Sequence, residues 1–464
     1  MEDRRYALFK RTLEYYEADA AFRDAMTEDP GGSVGYLGLP RTDGKEICAA
    51  ILAILGGRAA EEAGNPYVAA WRARISPQVS FATAAVDAAR FGNTDIAEYV
   101  NITLSRARME SGHIARNPQI RFVPAAFELS DGCKVQCPFC GLAAKGWNED
   151  FPYEEKRALW QGILRGTSGL LGEVADQAPL YFATEPFDHM RYEDFIRDVE
   201  ALGGYIPQTT TAVPERDIRR TKAFMAFLGN ERLRTQARLR FSIRTLAQFQ
   251  KIMDAFSPEE LTGVELIINN PESVHLISET GRVRGAVYGK RMRAAYSISC
   301  LCGVLVRLCD GTMTFMEPEK PDEQSPLGIR IRGEWQFTDE TSFAAGLREL
   351  YRMYAIPVPT EEQPLTLNRH VRVIREETRI LLAGGGSGYY LERNPYTDRM
   401  TELLEAEESG ISIRELANRL CLGITEKDAL MERIVVLYRK GYLHTGNGGS
   451  DNEVDSGRIG RAVP

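Results

Sequence analysis

The chain has 464 residues, 44% of them hydrophobic and 26% charged, with a formal net charge of −8. That length provides for roughly two to four domains with a substantial core, and the acidic balance argues against a nucleic-acid-binding protein of the strongly basic kind. No apolar run approaches a membrane span, Met1–Arg5 carries no signal-peptide core, and eight cysteines in so long a chain do not suggest a disulfide framework, so a reducing, cytoplasmic setting is expected.

Residues 1–118 read as a helical region. Leu8, Leu13 and Tyr16 fall near helical spacing, as do Tyr99, Ile102 and Leu104, with Pro30-Gly31-Gly32 and Gly56-Gly57 as punctuation. This region is read as a helical cap on the next domain. From 119 to 318 apolar strands alternate with amphipathic stretches such as Tyr192–Leu202 and Arg216–Leu228. The strand candidates are Phe122–Phe127, Leu180–Ala183, Tyr205–Thr210, Leu239–Ile243, Val264–Ile268 and Ala295–Val306. Nearly all-apolar strands separated by helices imply a parallel sheet. Six such units suggest a partial (β/α) barrel, in which chemistry gathers at the C-terminal strand ends.

The loop leaving the first strand reads Cys133-Lys134-Val135-Gln136-Cys137-Pro138-Phe139-Cys140. Three thiolates at spacing C-x3-C-x2-C can hold three irons of a [4Fe–4S] cube and leave the fourth iron open. The competing reading is zinc. Structural zinc takes four ligands, usually as two pairs, and His113, His189, His275, His370 and His444 all lie away from this loop.

Later strand ends carry polar groups. After the second strand comes Ala183-Thr184-Glu185-Pro186, where Glu185 is either a carboxylate for a ligand ammonium or a solvated loop acid. The fourth strand ends in Ser242-Ile243-Arg244, with Ser242 and Arg244 on one face. Arg244 can take a ligand carboxylate or make a surface ion pair. The gap Asn269–Met292, with Arg282, Arg284, Lys290, Arg291 and the adjoining Arg293, is basic inside an acidic protein. It is read as a substrate-facing loop, with a solvated surface loop as the alternative. The sixth strand places Cys300 and Cys302 on one face, with Cys309 beyond.

Residues 319–365 are Pro- and Glu-rich around one helical stretch, Phe343–Tyr354, and read as a connector. In 366–446, Val371–Leu382 reads as a strand, Gly384-Gly385-Gly386 as a turn and Gly388–Leu391 as a second strand. Three helices come next, the second opening with a capping box at Ser412-Ile413-Arg414-Glu415. A hairpin plus three helices is a winged-helix arrangement, but Glu402, Glu405, Glu407, Glu408 and Glu415 suit it poorly to a phosphate backbone. Residues 447–464 read as a disordered tail.

The cysteine loop, with an aromatic residue before its last cysteine, resembles the cluster motif of radical S-adenosylmethionine (SAM) enzymes. The resemblance implies a partial (β/α)6 TIM-like barrel, a [4Fe–4S] cluster on Cys133, Cys137 and Cys140, and SAM on the open iron. It also implies Phe139 near the adenine, Thr184 and Glu185 at the SAM amino group, Ser242 at the ribose and Arg244 at the SAM carboxylate. The family often has Gly-Gly-Glu where this chain has Ala-Thr-Glu. An external electron donor such as a flavodoxin or ferredoxin is implied as a partner.

The C-terminal unit resembles the leader-peptide recognition element of maturases of ribosomally made peptides, the kind known from pyrroloquinoline quinone biosynthesis. A precursor peptide is then the implied partner, bound along an edge strand and its neighbouring helix. Gly141-Leu142-Ala143-Ala144, Thr184-Glu185-Pro186-Phe187-Asp188 and Ser299-Cys300 look most like proteusin-type peptide epimerases. The implied reaction removes a Cα hydrogen from an L-residue and returns hydrogen from a thiol on the other face, giving the D-residue. Cys302 or Cys300 is that donor, with a small buried hydrophobe or an auxiliary-cluster ligand as the other readings of these cysteines. The alternatives are thioether or carbon–carbon crosslinking, backbone excision, and a non-enzymatic Fe–S regulator that binds DNA.

Overall fold

The computed structural model describes residues 2–445 apart from 38–39, 59–63, 85–91, 118–119, 205, 230–231, 234–237, 287 and 290. The expected tail at 447–464, together with Tyr205 and Lys290, lies outside the described residues. The architecture is mixed α/β.

Helices Glu2–Ala18, Ala20–Glu28, Arg41–Leu55 and Pro66–Ala84 open the chain. The first three and Tyr67 and Val68 of the fourth share a small core of Phe9, Phe22, Met26, Ile47 and Ile51. This region is tied to the central α/β part by Arg11, whose guanidinium donates to the carbonyls of Met253 (3.0 Å) and Phe256 (2.7 Å). Those carbonyls end the helix Leu246–Ala255, where a cation completes orphan acceptors and opposes the helix dipole.

The central strands are β1 (Val123–Glu128), β2 (Thr209–Thr211), β3 (Leu239–Ile243), β4 (Val264–Ile268), β5 (Leu301–Arg307), β6 (Thr312–Pro318) and β7 (Ile329–Gln336). β2, β3 and β4 form a parallel sheet in that order. β1 pairs parallel with β5, and β6 and β7 extend that second sheet antiparallel. Leu239, Phe241 and Ile243 of β3, with Ala125 and Phe127 of β1, pack into the main core with Trp160, Phe195, Phe249 and Phe343.

One expectation changes here. Leu180–Ala183 is not a ladder strand; it spans the space between the sheets. The Phe127 N–H donates to Pro179 O (2.9 Å), and the Ala183 N–H donates to the Glu128 side chain (2.6 Å), which replaces a ladder carbonyl. The Tyr181 hydroxyl reaches Gln208 and Thr210 beside β2. The sixth expected strand, observed as β5, pairs with the first.

Residues 319–365 are more than a connector. β7 completes the second sheet, and the helix Glu340–Tyr354, capped by Asp339 and Ser342, buries Phe343, Leu347, Leu350 and Tyr351 in the main core.

In the C-terminal unit Val371–Leu382 divides into two strands, Arg372–Arg375 and Arg379–Ala383, because Glu376 N–H donates to Arg379 O and turns the chain. Gly388–Glu392 completes an antiparallel meander. The three expected helices are Pro395–Ala406, Ile413–Arg419 and Ile424–Arg439. A second sheet joins Ile411–Ser412, Pro364–Leu367 and Leu443–Thr445, so the unit begins before residue 366. Its glycine turn is packed on the end of the helix Thr94–Glu110: Gly386 N–H donates to Met109 O (2.8 Å), and a Cβ at Gly386 would lie 1.9 Å from Arg108 O. A buried ion network also joins these parts. Glu317 of β6 accepts from Arg106 (2.6 Å), Arg332 (2.7 Å) and the Tyr99 hydroxyl, and Arg106 reaches His444.

Candidate active site

The cysteine loop begins just beyond the C-terminal end of β1. Gly132 turns with φ +87°, where a Cβ would strike Gly146 O, and the Cys133 N–H donates to Lys145 O (3.0 Å). The loop is therefore closed at its base. The Cys140 N–H donates to Cys137 O, and the Ala144 N–H points at Cys140 Sγ (3.4 Å). Backbone N–H groups aimed at sulfur are among the devices that tune thiolate-bound clusters.

Cys133 is buried; Cys137 and Cys140 are half-buried. Burial pushes the Cys133 thiol up and the Cys137 thiol up to about 12. Arg244 opposes the rise at Cys137, while Cys133, Cys140 and Glu185 add to it. These residues thus lie within electrostatic reach of one sulfur, although they come from three separate segments of the chain. As a free thiol Cys137 is protonated at neutral pH; a bound metal would deprotonate it. Among the described residues no three His, Cys, Asp or Glu side chains gather closely enough to hold one metal ion. A cube asks for a different spacing, since each cysteine takes its own iron. The donor set, three thiols on one closed loop with a guanidinium nearby, fits such a group.

Glu185 is 4% exposed and caps the turn Pro186–Asp188. Its oxygens accept from Phe187 N (3.0 Å) and Ala212 N (2.7 Å), and burial raises its carboxyl to about 7. Thr184 is half-buried beside it. Ser242 accepts from Asn269 Nδ2 (3.2 Å). Arg244 donates to Ala212 O (2.9 Å) and pairs with Glu215 (3.1 Å). Glu185 and Arg244 are therefore joined through Ala212. Phe139 packs edge-on against Tyr288 (5.9 Å) with Ile277 and Val283.

Cys300 and Cys302 do not share a face. β5 starts at Leu301, and its register against β1 slips by one residue around Gly303, whose φ is +148°. Such a bulge breaks the alternation of side chains. Cys302 is 0% exposed in the main core, beside Thr103, with its thiol pushed up to about 12 by burial. Cys300 is exposed, yet enclosure by protein still raises its thiol, and it lies within electrostatic reach of Tyr181 and Arg240. Its reach to Tyr181 and Arg240 sets Cys300 on the side of β3 that Arg240 occupies. The β3 alternation puts Arg240, Ser242 and Arg244 on that same side, opposite the buried Leu239, Phe241 and Ile243. Cys309 stands apart, near the carbonyls of Leu129 and Glu149.

Two arginines of the basic gap hold its own backbone. Arg291 donates to three backbone carbonyls, of His275, Asn269 and Leu276, and Arg293 to those of Val283 and Ala286.

Glu128 was not among the expected residues. It ends β1, is 7% exposed, and borders a cavity of about 270 Å³ lined also by Leu142, Lys145, Phe182, Arg307 and Asp310. Burial raises its carboxyl to about 7. The signal available was its position, the first polar residue after an apolar strand.

A curated protein of Sinorhizobium fredii (strain NBRC 101917 / NGR234), described as the uncharacterized protein y4wI, is 32% identical over 338 residues. The alignment covers 67% of this chain and 65% of that relative's length. No protein-family model matches the chain, and no solved structure matches it.

Proposed function

We propose that this chain is a radical SAM enzyme that epimerises residues of a ribosomally made precursor peptide. The observation that carries the reading is the three-cysteine loop after β1, with Glu185 from the turn at 186–188 and Arg244 from the end of β3 within electrostatic reach of Cys137. In this reading the two parallel pairings are arcs of one partial barrel, bridged by residues 179–183. Cys133, Cys137 and Cys140 would hold a [4Fe–4S] cluster, and Phe139, Thr184, Glu185, Ser242 and Arg244 would hold SAM. When bound, this pair supplies one-electron chemistry that removes hydrogen from carbon.

The chain's own part is to position and to return hydrogen. Glu185 presents a carboxyl that an ammonium would ionise, and Arg244 a guanidinium for a carboxylate. Cys300, on the side of Arg240, gives its S–H hydrogen to the planar Cα radical. The sulfur is left one electron short and regains an electron from the external donor, a flavodoxin or ferredoxin, and a proton from water. Cys302, sealed in the core, is not placed for this. The leader segment docks along the Gly388–Glu392 edge strand, beside the C-terminal end of the helix Ile424–Arg439, where Lys440 sits over Tyr389.

The test is co-expression with the peptide encoded beside the gene, followed by chiral amino-acid analysis and turnover in D2O. Each epimerised residue should gain about one mass unit, because the donor thiol exchanges with solvent. D-residues absent, with a mass change in H2O, would point to crosslinking or excision instead. No 5′-deoxyadenosine release from the reduced, reconstituted protein would defeat the reading altogether.

A further inference from the structure

Arg282 lies in a short turn, Gly281–Val283, in the gap between β4 and β5, far along the chain from the cysteine loop. Yet its hydrogen bonds go to that loop. The guanidinium donates to Cys137 O (2.8 Å), to Ala144 O and to the Gln136 side-chain oxygen, and its backbone N–H donates to Cys140 O (3.0 Å). Gln136 in turn donates to the carbonyls of Cys133 (2.6 Å) and Lys145 (2.8 Å). Gln136 holds a left-handed φ of 49°, a conformation that costs energy in a residue with a Cβ and persists where its surroundings enforce it.

The backbones are in contact as well. Gly281, at φ +53°, lies so close that a Cβ would come within 2.5 Å of the carbonyls of Cys140 and Gly141. A Cβ on Gly141 would meet Thr280 Oγ1 at 2.4 Å. Among the described residues no carboxylate lies within ion-pair distance of Arg282. Its charge is spent on carbonyl dipoles and stays uncompensated beside three thiols.

We infer that Arg282 is a positioning residue for the cysteine loop: it fixes the backbone at Cys137, Cys140 and, through Gln136, Cys133, and its unpaired charge favours an anionic group held by those sulfurs. The second half rests on the iron–sulfur reading above; the first does not. Three thiolates on a cube leave a net negative charge that grows on reduction, so a nearby cation makes reduction easier.

Arg282→Gln and Arg282→Lys test this in the full chain. In apo-protein, iodoacetamide alkylation of the Cys133–Cys140 segment, read by peptide mass spectrometry, should run severalfold faster in Arg282→Gln. After anaerobic reconstitution, an EPR-monitored redox titration should find its cluster at a more negative potential than wild type. Arg282→Lys should recover the potential but not the slow alkylation, because one ammonium cannot serve three spread acceptors. Unchanged alkylation and unchanged potential in Arg282→Gln would overturn the inference. Should that variant fail to fold, wild-type alkylation in Arg282→Lys would overturn it equally. Wild-type protein that takes up no iron, with alkylation still accelerated in the variant, would retain the clamp and defeat the iron–sulfur reading.

Discussion

Glu128→Gln isolates the cost of an ionised carboxyl at the end of β1. In the folded chain burial raises this group from 4.5 to about 7, so protonation is favoured by folding. At 1.36 kcal/mol per tenfold, the folded state ionised at Glu128 is disfavoured by about 3 kcal/mol relative to the unfolded one. The sign follows from the raised value. Wild-type stability from this group is fully present below pH 4.5, falls as pH rises from there to about 7, and is level above. Glutamine has the same shape, keeps an oxygen for the Ala183 N–H, and does not titrate. The variant should therefore match wild type near pH 4.5 and exceed it by up to about 3 kcal/mol near pH 8. Urea unfolding of apo-protein by tryptophan fluorescence provides the assay, since Trp160 packs edge-on against Phe127 in the same strand. The difference between variant and wild type cancels the other titrating groups. A difference that stays within about 0.5 kcal/mol across this range would refute the assignment of a neutral, buried carboxyl.

Three further substitutions have expected outcomes. Cys302→Ala should cost about 1–3 kcal/mol in denaturant unfolding through a small core cavity, while leaving deuterium uptake in the peptide intact; Cys300→Ala should abolish that uptake and leave stability nearly unchanged. Glu317→Ala strands Arg106 and Arg332 in the core without their shared carboxylate. It should lower unfolding free energy by about 3–5 kcal/mol at neutral pH. The two arginines hold the Glu317 carboxyl well below its ordinary range, so the wild-type advantage should fade only as the solution is acidified below about pH 4.5.

Much of the site was legible because strand-end loops follow directly from an apolar run, and the cysteine spacing is local. The positions of Ser242 and Arg244 at the end of β3 follow from the same rule, whereas Glu185 caps a turn after a segment that forms no strand. That Arg282, Arg291 and Arg293 serve backbone carbonyls was not legible, because a guanidinium so engaged has the same letter as one in water. Nor was the split of Cys300 from Cys302, since alternation assumes an unbroken strand and Gly303 introduces a bulge.

Composition and local pattern determined the alternating strands and helices, the three-cysteine loop and the helical C-terminal unit, because each depends on neighbours in the chain. Only the tertiary structure decided that the sixth strand lies beside the first, that 319–365 completes a sheet, and that Glu128 and Glu185 hold raised carboxyls. Pairing partners and burial are properties of packing between segments remote in sequence, and no local period encodes them.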